Sequence, residues 1–355
     1  MRKLVIETSA VKHNLAVIKE RAKGAVIYGV LSSDGHGAGI VPMARLMRAE
    51  GIGHFAVSEV TEAEALRKAG FVEEEILMLR STTDREELER LVDLGVVCTI
   101  SSVDTGMALN ALAGNRSTVV EAHIQVDTGM GFGGFLVSEP EKLLLAYRSL
   151  PNVALSGIYT QLHSARINDP ETKEQLDQFH EVLDTIHQAK YETGLVHAAG
   201  SFALLHNEQS RLDGVRAGSA VLGRCRRTRD DKLKTVGYGE VPLAEVRWLP
   251  KGHTIGADKP IVLRKPTRVA ILPVGYQNGL GIFCPRETGL RALLRWWRKG
   301  RKYTVRIGGH KAKVLGGIGA TQTILNVTKV KCSAGDLATF DIDPMFARGF
   351  ITEYR

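Results

Sequence analysis

Cysteine is scarce in this 355-residue chain: Cys98, Cys225, Cys284 and Cys332 stand far apart and form no CxxC pair. That excludes a disulfide-stapled fold and a cysteine-based zinc site, and it suits reduced thiols in the cytoplasm. Long apolar runs are missing too. The opening segment MRKLVIETSAVKHNL meets polar residues before any extended hydrophobic stretch develops, so neither a signal peptide nor a membrane span is expected. No internal repeat or low-complexity tract is present. A strong charge of one sign is also absent: 47 basic against 39 acidic residues leave a net charge of +8, a mild excess spread over the whole length. Such a balance favours anionic ligands but gives no case for nucleic-acid binding by itself.

What is there is ample core-forming material. Apolar residues make up 44% and charged residues 24%, the composition of a folded globular protein, and the length suits a barrel plus a smaller module. Val11, Leu15 and Ile18 recur at helical spacing after Ser9, predicting a helix from Thr8 to Lys23. The uninterrupted run AVIYGVL at 25–31 reads as a strand buried on both faces. Apolar runs at 53–58, 74–80, 95–100, 118–126, 153–160 and 193–199 then alternate with helical stretches at 41–50, 61–69, 85–94 and 171–188. This βα repetition predicts an α/β fold with a closed parallel (β/α)8 TIM-type barrel over residues 1–228. Beyond the charged run RRTRDDKLK the texture changes to short alternating stretches cut by Gly and Pro, such as EVRWLP and LATFDID. These predict a C-terminal antiparallel β domain over 229–355.

Several segments carry chemistry. SSDGHGAG, residues 32–39, follows the first predicted barrel strand, on the rim where such barrels hold their reactive groups. There His36 can serve as acid, base or hydrogen-bonding support, or simply be solvated in a flexible loop. QVDTGMGFGGF at 125–135 is a second glycine-rich loop after a strand. HAAGS and VRAGS supply Ser201, Arg216, Gly218 and Ser219; a glycine-flanked serine and loop amides suit a phosphate, and an arginine can face a heterocyclic nitrogen. Each of these is equally an ordinary barrel loop. In the β domain, Tyr276 sits in PVGYQNG, a phenol on a turn whose ordinary pKa near 10 makes it a poor base unless something lowers it.

Taken in order, the segments HNL (13–15), DGHG (34–37), VDTGM (126–130), GIYT (157–160), EQLDQF (174–179), HAAGS (197–201), VRAG (215–218), PVGYQNG (273–279) and the terminal EYR resemble the alanine racemase family over nearly the whole chain. The resemblance implies a pyridoxal phosphate enzyme of the L- and D-alanine interconversion that supplies cell walls, a barrel followed by a β domain, and a homodimer. It implies that Arg216 faces the pyridine nitrogen and that Ser201, Gly218, Ser219 and Tyr354 hold the phosphate. Tyr276 would be the phenolic acid/base, contributed to the partner's site, and His36 closes the loop that begins at the cofactor-binding lysine.

Departures from the pattern cluster on proton transfer. Six residues before His36, where the family carries its imine-forming lysine, stands Val30, and no lysine occurs between Lys23 and Arg45. The family's arginine after TGM corresponds to Phe132, the lysine before VDTGM to Gln125, and the histidine after GIYT to Gln161, with His163 close by. A Met-Asp pair near the substrate is replaced by Ala320 and Thr321. The groups implied for phosphate and ring nitrogen persist while the base does not, and losing such a base commonly costs factors of about 100 to 10,000 in rate. The expectation is a protein with a pyridoxal phosphate pocket, binding an amino acid or phosphate ligand and impaired as a racemase. The alternative is an active racemase that draws a lysine from elsewhere. A third reading rests on RALLRWWRKGRKY at 291–303, which is either the solvated basic edge of a hairpin or a surface for an acidic partner.

Overall fold

A computed structural model describes residues 1–163, 165, 169–225, 232–256, 260–282 and 303–355. The chain divides into two compact units, residues 10–234 and residues 1–9 together with 235–355. The first strand, β1 (Lys3–Ile6), belongs to the second of these, where it pairs antiparallel with β11 (Tyr238–Pro242) and parallel with β20 (Ile351–Tyr354). Four residues with partners more than 230 positions away leave no local signal, and the sequence reading assigned no strand there.

Residues 10–234 form the barrel. After α1 (Thr8–Ala22) come β2 (Val26–Val30), β3 (His54–Val57), β4 (Glu75–Met78), β5 (Cys98–Ile100), β6 (Val120–Asp127), β8 (Val153–Tyr159), β9 (Leu195–Ala199) and β10 (Gly214–Ala217), with the two-residue β7 (Phe135–Leu136) hung on β6. They run parallel in the order β4-β3-β2-β10-β9-β8-β6-β5. The seam between β4 and β5 is closed by two hydrogen bonds of 2.9 Å, Met78 N–H to Val97 O and Val97 N–H to Ile76 O. Parallel strands need crossovers, supplied here by α3 (Ile40–Ala49), α4 (Val60–Lys68), α5 (Arg85–Asp93), α6 (Val103–Asn115), α7 (Pro140–Ser149) and α8 (Pro170–Gln188). Their starts follow capping chemistry: Asp84 accepts from Glu87 N–H at 2.9 Å, and Ser102 accepts from Thr105 N–H at 3.2 Å. Burying leucines and valines on the inner helix faces completes the expected α/β barrel.

The second unit is a sheet ordered β12-β15-β18-β17-β16-β19-β11-β1-β20, antiparallel throughout except for β1 against β20. Its strands include β12 (Glu245–Leu249), β15 (Thr267–Leu272), β16 (Thr304–Ile307), β17 (His310–Ile318), β18 (Thr323–Asn326) and β19 (Leu337–Asp341), with β13 (Thr254–Ile255) and β14 (Ile261–Val262) as a separate ribbon. Leu249, Ile255, Leu263 and Val269 gather into one buried cluster. The basic stretch 291–303 lies outside the described residues apart from Tyr303. No described helix is long and apolar enough to cross a membrane.

Candidate functional site

Arg216, near the C-terminal end of β10, is 4% exposed and committed to acceptors on β9 and just past the end of β8. Its Nη1 donates to His197 Nδ1 at 2.6 Å; its Nη2 donates to Thr160 O at 2.7 Å and Gln161 Oε1 at 2.8 Å. Burial lowers the guanidinium to about 10, so it remains charged at neutral pH. Its Nε hydrogen has no acceptor among the described residues. His197 stacks between Tyr28 and Tyr159, at ring-centre distances of 5.4 and 4.9 Å, and its Nε2 meets His123 Nδ1 at 3.0 Å. Burial, reinforced by Arg216, holds His123 down to about 4 and His197 well below the ordinary histidine range. The barrel interior is therefore filled by a polar aromatic layer with one fixed positive charge. His123, Tyr28 and Tyr159 have no role legible in the sequence, where the only signal is a histidine or tyrosine inside a barrel strand.

The rim above this layer is built by two loops. After β2, the five-residue turn α2 (Ser32–His36) contains Ser33, Asp34 and Gly35 at φ 57°, 55° and 62°, a left-handed conformation that His36 continues at 55°. The Asp34 carboxylate secures it by accepting from Ile40 N–H at 2.8 Å. This turn brings the His36 ring against Gly218, after β10. A Cβ on Gly218 would stand 2.4 Å from His36 Nε2 and 3.1 Å from Val30 Cβ, so only glycine fits. Ser201, which opens α9 (Ser201–His206), accepts through Oγ from Gly218 N–H at 3.0 Å and Ala220 N–H at 3.2 Å. The Ser219 N–H between them has no acceptor among the described residues. Thus His36, Ser201, Gly218 and Ser219 meet at the barrel rim, with the buried Arg216 two residues before Gly218 on β10.

Val30, the last residue of β2, packs with Leu79 against the interior cluster of Tyr28, Ala56, Leu77 and Val97. All nine lysines between residues 10 and 234 (Lys12, Lys19, Lys23, Lys68, Lys142, Lys173, Lys190, Lys232, Lys234) are exposed. Arg211 and Arg216 are the buried cations among the described barrel residues, and Arg211 donates to Leu204 O and Glu208. Phe132 projects from the glycine loop with 78% of its surface exposed. That loop is organised by Asp127, whose Oδ1 accepts from Gly129, Met130 and Gly131 N–H at 2.8, 2.9 and 3.1 Å.

Tyr276 and Tyr354 belong to the β unit. Tyr276 opens a 3-10 turn and is 47% exposed; its N–H donates to Gly319 O at 2.9 Å, and Gln277 N–H donates to Ala320 O at 3.1 Å. Gly275 permits this approach, since a Cβ there would lie 2.2 Å from both the Gly319 and the Ala320 carbonyl oxygens. Tyr354 ends β20, opposite Ile6 of β1.

A parallel barrel enclosing a buried arginine, in one chain with a separate, mostly antiparallel sheet, defines a class of two-unit barrel proteins. Comparison with known proteins is more specific. The family model described as "Alanine racemase, N-terminal domain" matches residues 6–225, and "Alanine racemase, C-terminal domain" matches residues 236–342. The chain belongs to the alanine racemase family. It is 30% identical to an alanine racemase of Desulfovibrio desulfuricans over 93% of this chain and 86% of that protein. It is 28% identical to one of Halothermothrix orenii over 92% and 83%. Among solved structures, alanine racemase from D-cycloserine-producing Streptomyces lavendulae superposes with a TM-score of 0.86 at 21% identity, covering 100% of this chain and 97% of that one. Alanine racemase from Bartonella henselae, solved with covalently bound pyridoxal phosphate, gives 0.83 at 20% identity, covering 100% and 99%.

Proposed function

We propose that this protein binds pyridoxal phosphate on the barrel rim without a covalent tether and does not racemise alanine by the two-base route of its family. One observation carries the reading: Val30, beside Gly218, packs half-buried against an apolar interior cluster, while every lysine of the barrel unit is exposed. The residues present fit the group in other respects. Arg216 keeps its Nε hydrogen unengaged, suiting a ring nitrogen that accepts. The Ser201 hydroxyl, which accepts from Gly218 and Ala220 N–H and so has its own hydrogen to give, and the Ser219 N–H, which has no acceptor among the described residues, are donors for a phosphate. His36 supports Gly218 by contact. When bound, the cofactor supplies an electron sink for carbanion chemistry. Toward it this chain's residues would bind and orient; Gln161, bonded to Arg216, and the exposed Phe132 offer no group to carry a proton or grip a carboxylate. We further propose a cytoplasmic homodimer, consistent with Cys98 and Cys332 as buried thiols, in which Tyr276 is the phenol presented to the partner's site.

The test is spectroscopic. Purified protein is saturated with pyridoxal phosphate, reduced with borohydride and peptide-mapped, with D-alanine formation from L-alanine assayed in parallel. Cofactor that dialyses away, no modified lysine and no D-alanine are expected. A trapped lysine accompanied by D-alanine would show instead an active racemase that borrows its amine from elsewhere.

A further inference from the structure

Resting on the reading above, we infer that the site selects B6 phosphates by the charge of the substituent facing Val30: it takes the uncharged aldehyde or alcohol form and rejects the amine form, so pyridoxine phosphate is as good a ligand as pyridoxal phosphate. The surroundings of Val30 carry this. Its half-buried side chain packs, as does Leu79, against the buried cluster of Tyr28, Ala56, Leu77 and Val97. The Tyr28 hydroxyl is turned away to Glu75 Oε1 at 2.5 Å. The hydroxyls at the ends of β2 and β3, Ser32 and Ser58, bond each other at 2.6 Å. The carboxylates of the adjoining turn are directed at backbone donors: Asp34 Oδ1 accepts from Ile40 N–H, and Glu62 from Asp34, Ser58 and Glu59 N–H. An ammonium placed against this patch would give up hydration on the side that meets Val30, Ala56, Leu77 and Leu79, whose side chains offer no acceptor, a penalty for a charged group that an aldehyde or a hydroxymethyl does not carry.

Absence of an amine acts on the same choice. An enzyme that condenses with the aldehyde holds that form far more tightly than the alcohol, because only the aldehyde can bond covalently. Here that advantage is gone, and the aldehyde and the alcohol present the same phosphate, ring nitrogen and neutral side arm.

Fluorescence or calorimetric titration of the intact protein with pyridoxal phosphate, pyridoxine phosphate, pyridoxamine phosphate and inorganic phosphate tests the inference. The first two should bind within about threefold of each other and pyridoxamine phosphate at least about tenfold more weakly. Val30→Asp, which supplies an acceptor, should move the ratio of pyridoxamine phosphate to pyridoxine phosphate affinity by about tenfold toward the amine. The near-isosteric Val30→Thr should fold like the parent and shift the ratio in the same direction by a smaller amount. Pyridoxamine phosphate binding as well as pyridoxine phosphate would overturn the inference, as would pyridoxal phosphate binding far more tightly than pyridoxine phosphate; both outcomes leave the pocket itself standing. Failure of all three B6 phosphates to bind would remove the pocket, and the selectivity with it.

Discussion

Arg216 Nη1 donates to His197 Nδ1 across 2.6 Å, and this one bond fixes the protonation of two histidines. A guanidinium cannot accept, so Nδ1 of His197 must. Its proton then sits on Nε2, where it is donated to His123 Nδ1 at 3.0 Å. Both rings are neutral, in keeping with the depression that burial and Arg216 impose on each.

Acid sensitivity follows. His123, held at about 4 in the folded protein, titrates near 6.5 when unfolded, so between those values the unfolded chain binds the extra proton. Stability therefore falls as pH drops below about 6.5, by about 2 kcal/mol between pH 7 and pH 5 from this residue alone. His123→Gln should flatten the dependence of urea-unfolding free energy on pH over that interval. Identical pH slopes for parent and variant would contradict the assignment.

The guanidinium itself should be irreplaceable. Arg216→Lys retains the charge but cannot span His197, Thr160 and Gln161 together, so buried acceptors lose their donors. A loss of about 3–5 kcal/mol in stability is expected, along with loss of pyridoxal phosphate binding. Thermal unfolding compared with and without cofactor checks both; a variant as stable as the parent would show the network to be slack.

Much of this architecture was legible in the residues. The helix starting at Thr8, the strand over 25–31 and the stretch from Arg85 follow from period and capping, which are local. The expected helix over 171–188 likewise appears as α8, with Pro170 at its start. Arg216, Ser201 and Gly218 were legible because each sits in a compact motif. The partnership of His197 with His123 was not, since 74 residues separate them and neither strand's apolar pattern says which neighbour it will meet. Gln161 registered only as a departure from a family pattern; that it is a ligand of Arg216 emerged from geometry. The left-handed turn at Ser33, Asp34 and His36 was hidden for another reason. Asp and His tolerate positive φ better than most residues, but Ser33 has no such preference, and a mild tolerance at single positions does not announce four consecutive left-handed residues.

Loop order offers a prediction independent of the cofactor. Asp127 gathers the N–H groups of Gly129, Met130 and Gly131, so Asp127→Ala leaves three donors without their acceptor. A destabilisation of about 1–2 kcal/mol is expected, with faster chymotryptic cleavage beside the exposed Phe132. Cleavage at the parental rate would mean that the glycines, and not the carboxylate, hold this loop.

Room for the phosphate is the next thing to challenge. Gly218→Ala introduces a Cβ between His36 Nε2 and Val30, at distances of 2.4 and 3.1 Å that the neighbours must relieve by moving. The substitution should weaken pyridoxal phosphate by at least about tenfold while costing about 1–3 kcal/mol of stability. His36→Ala in the same background removes the closer obstacle and should recover part of the affinity. An unchanged affinity in Gly218→Ala would place the phosphate elsewhere.

Val30→Lys asks whether the missing amine is all that separates this site from a covalent one. The new side chain would emerge among Ala56, Leu77 and Leu79, where burial depresses an ammonium's pKa and raises the fraction of neutral, nucleophilic amine at pH 7. Borohydride reduction of the variant with pyridoxal phosphate should therefore modify residue 30, with a trapping rate that climbs with pH until the amine is fully deprotonated. Alanine turnover should stay absent, because Phe132 supplies no cation for the substrate carboxylate and Gln161 no titratable group. Peptide mapping decides the first point and a D-alanine assay the second. Modification at some other lysine, in a variant that unfolds at the parental temperature, would mean that residue 30 does not face the bound aldehyde at all.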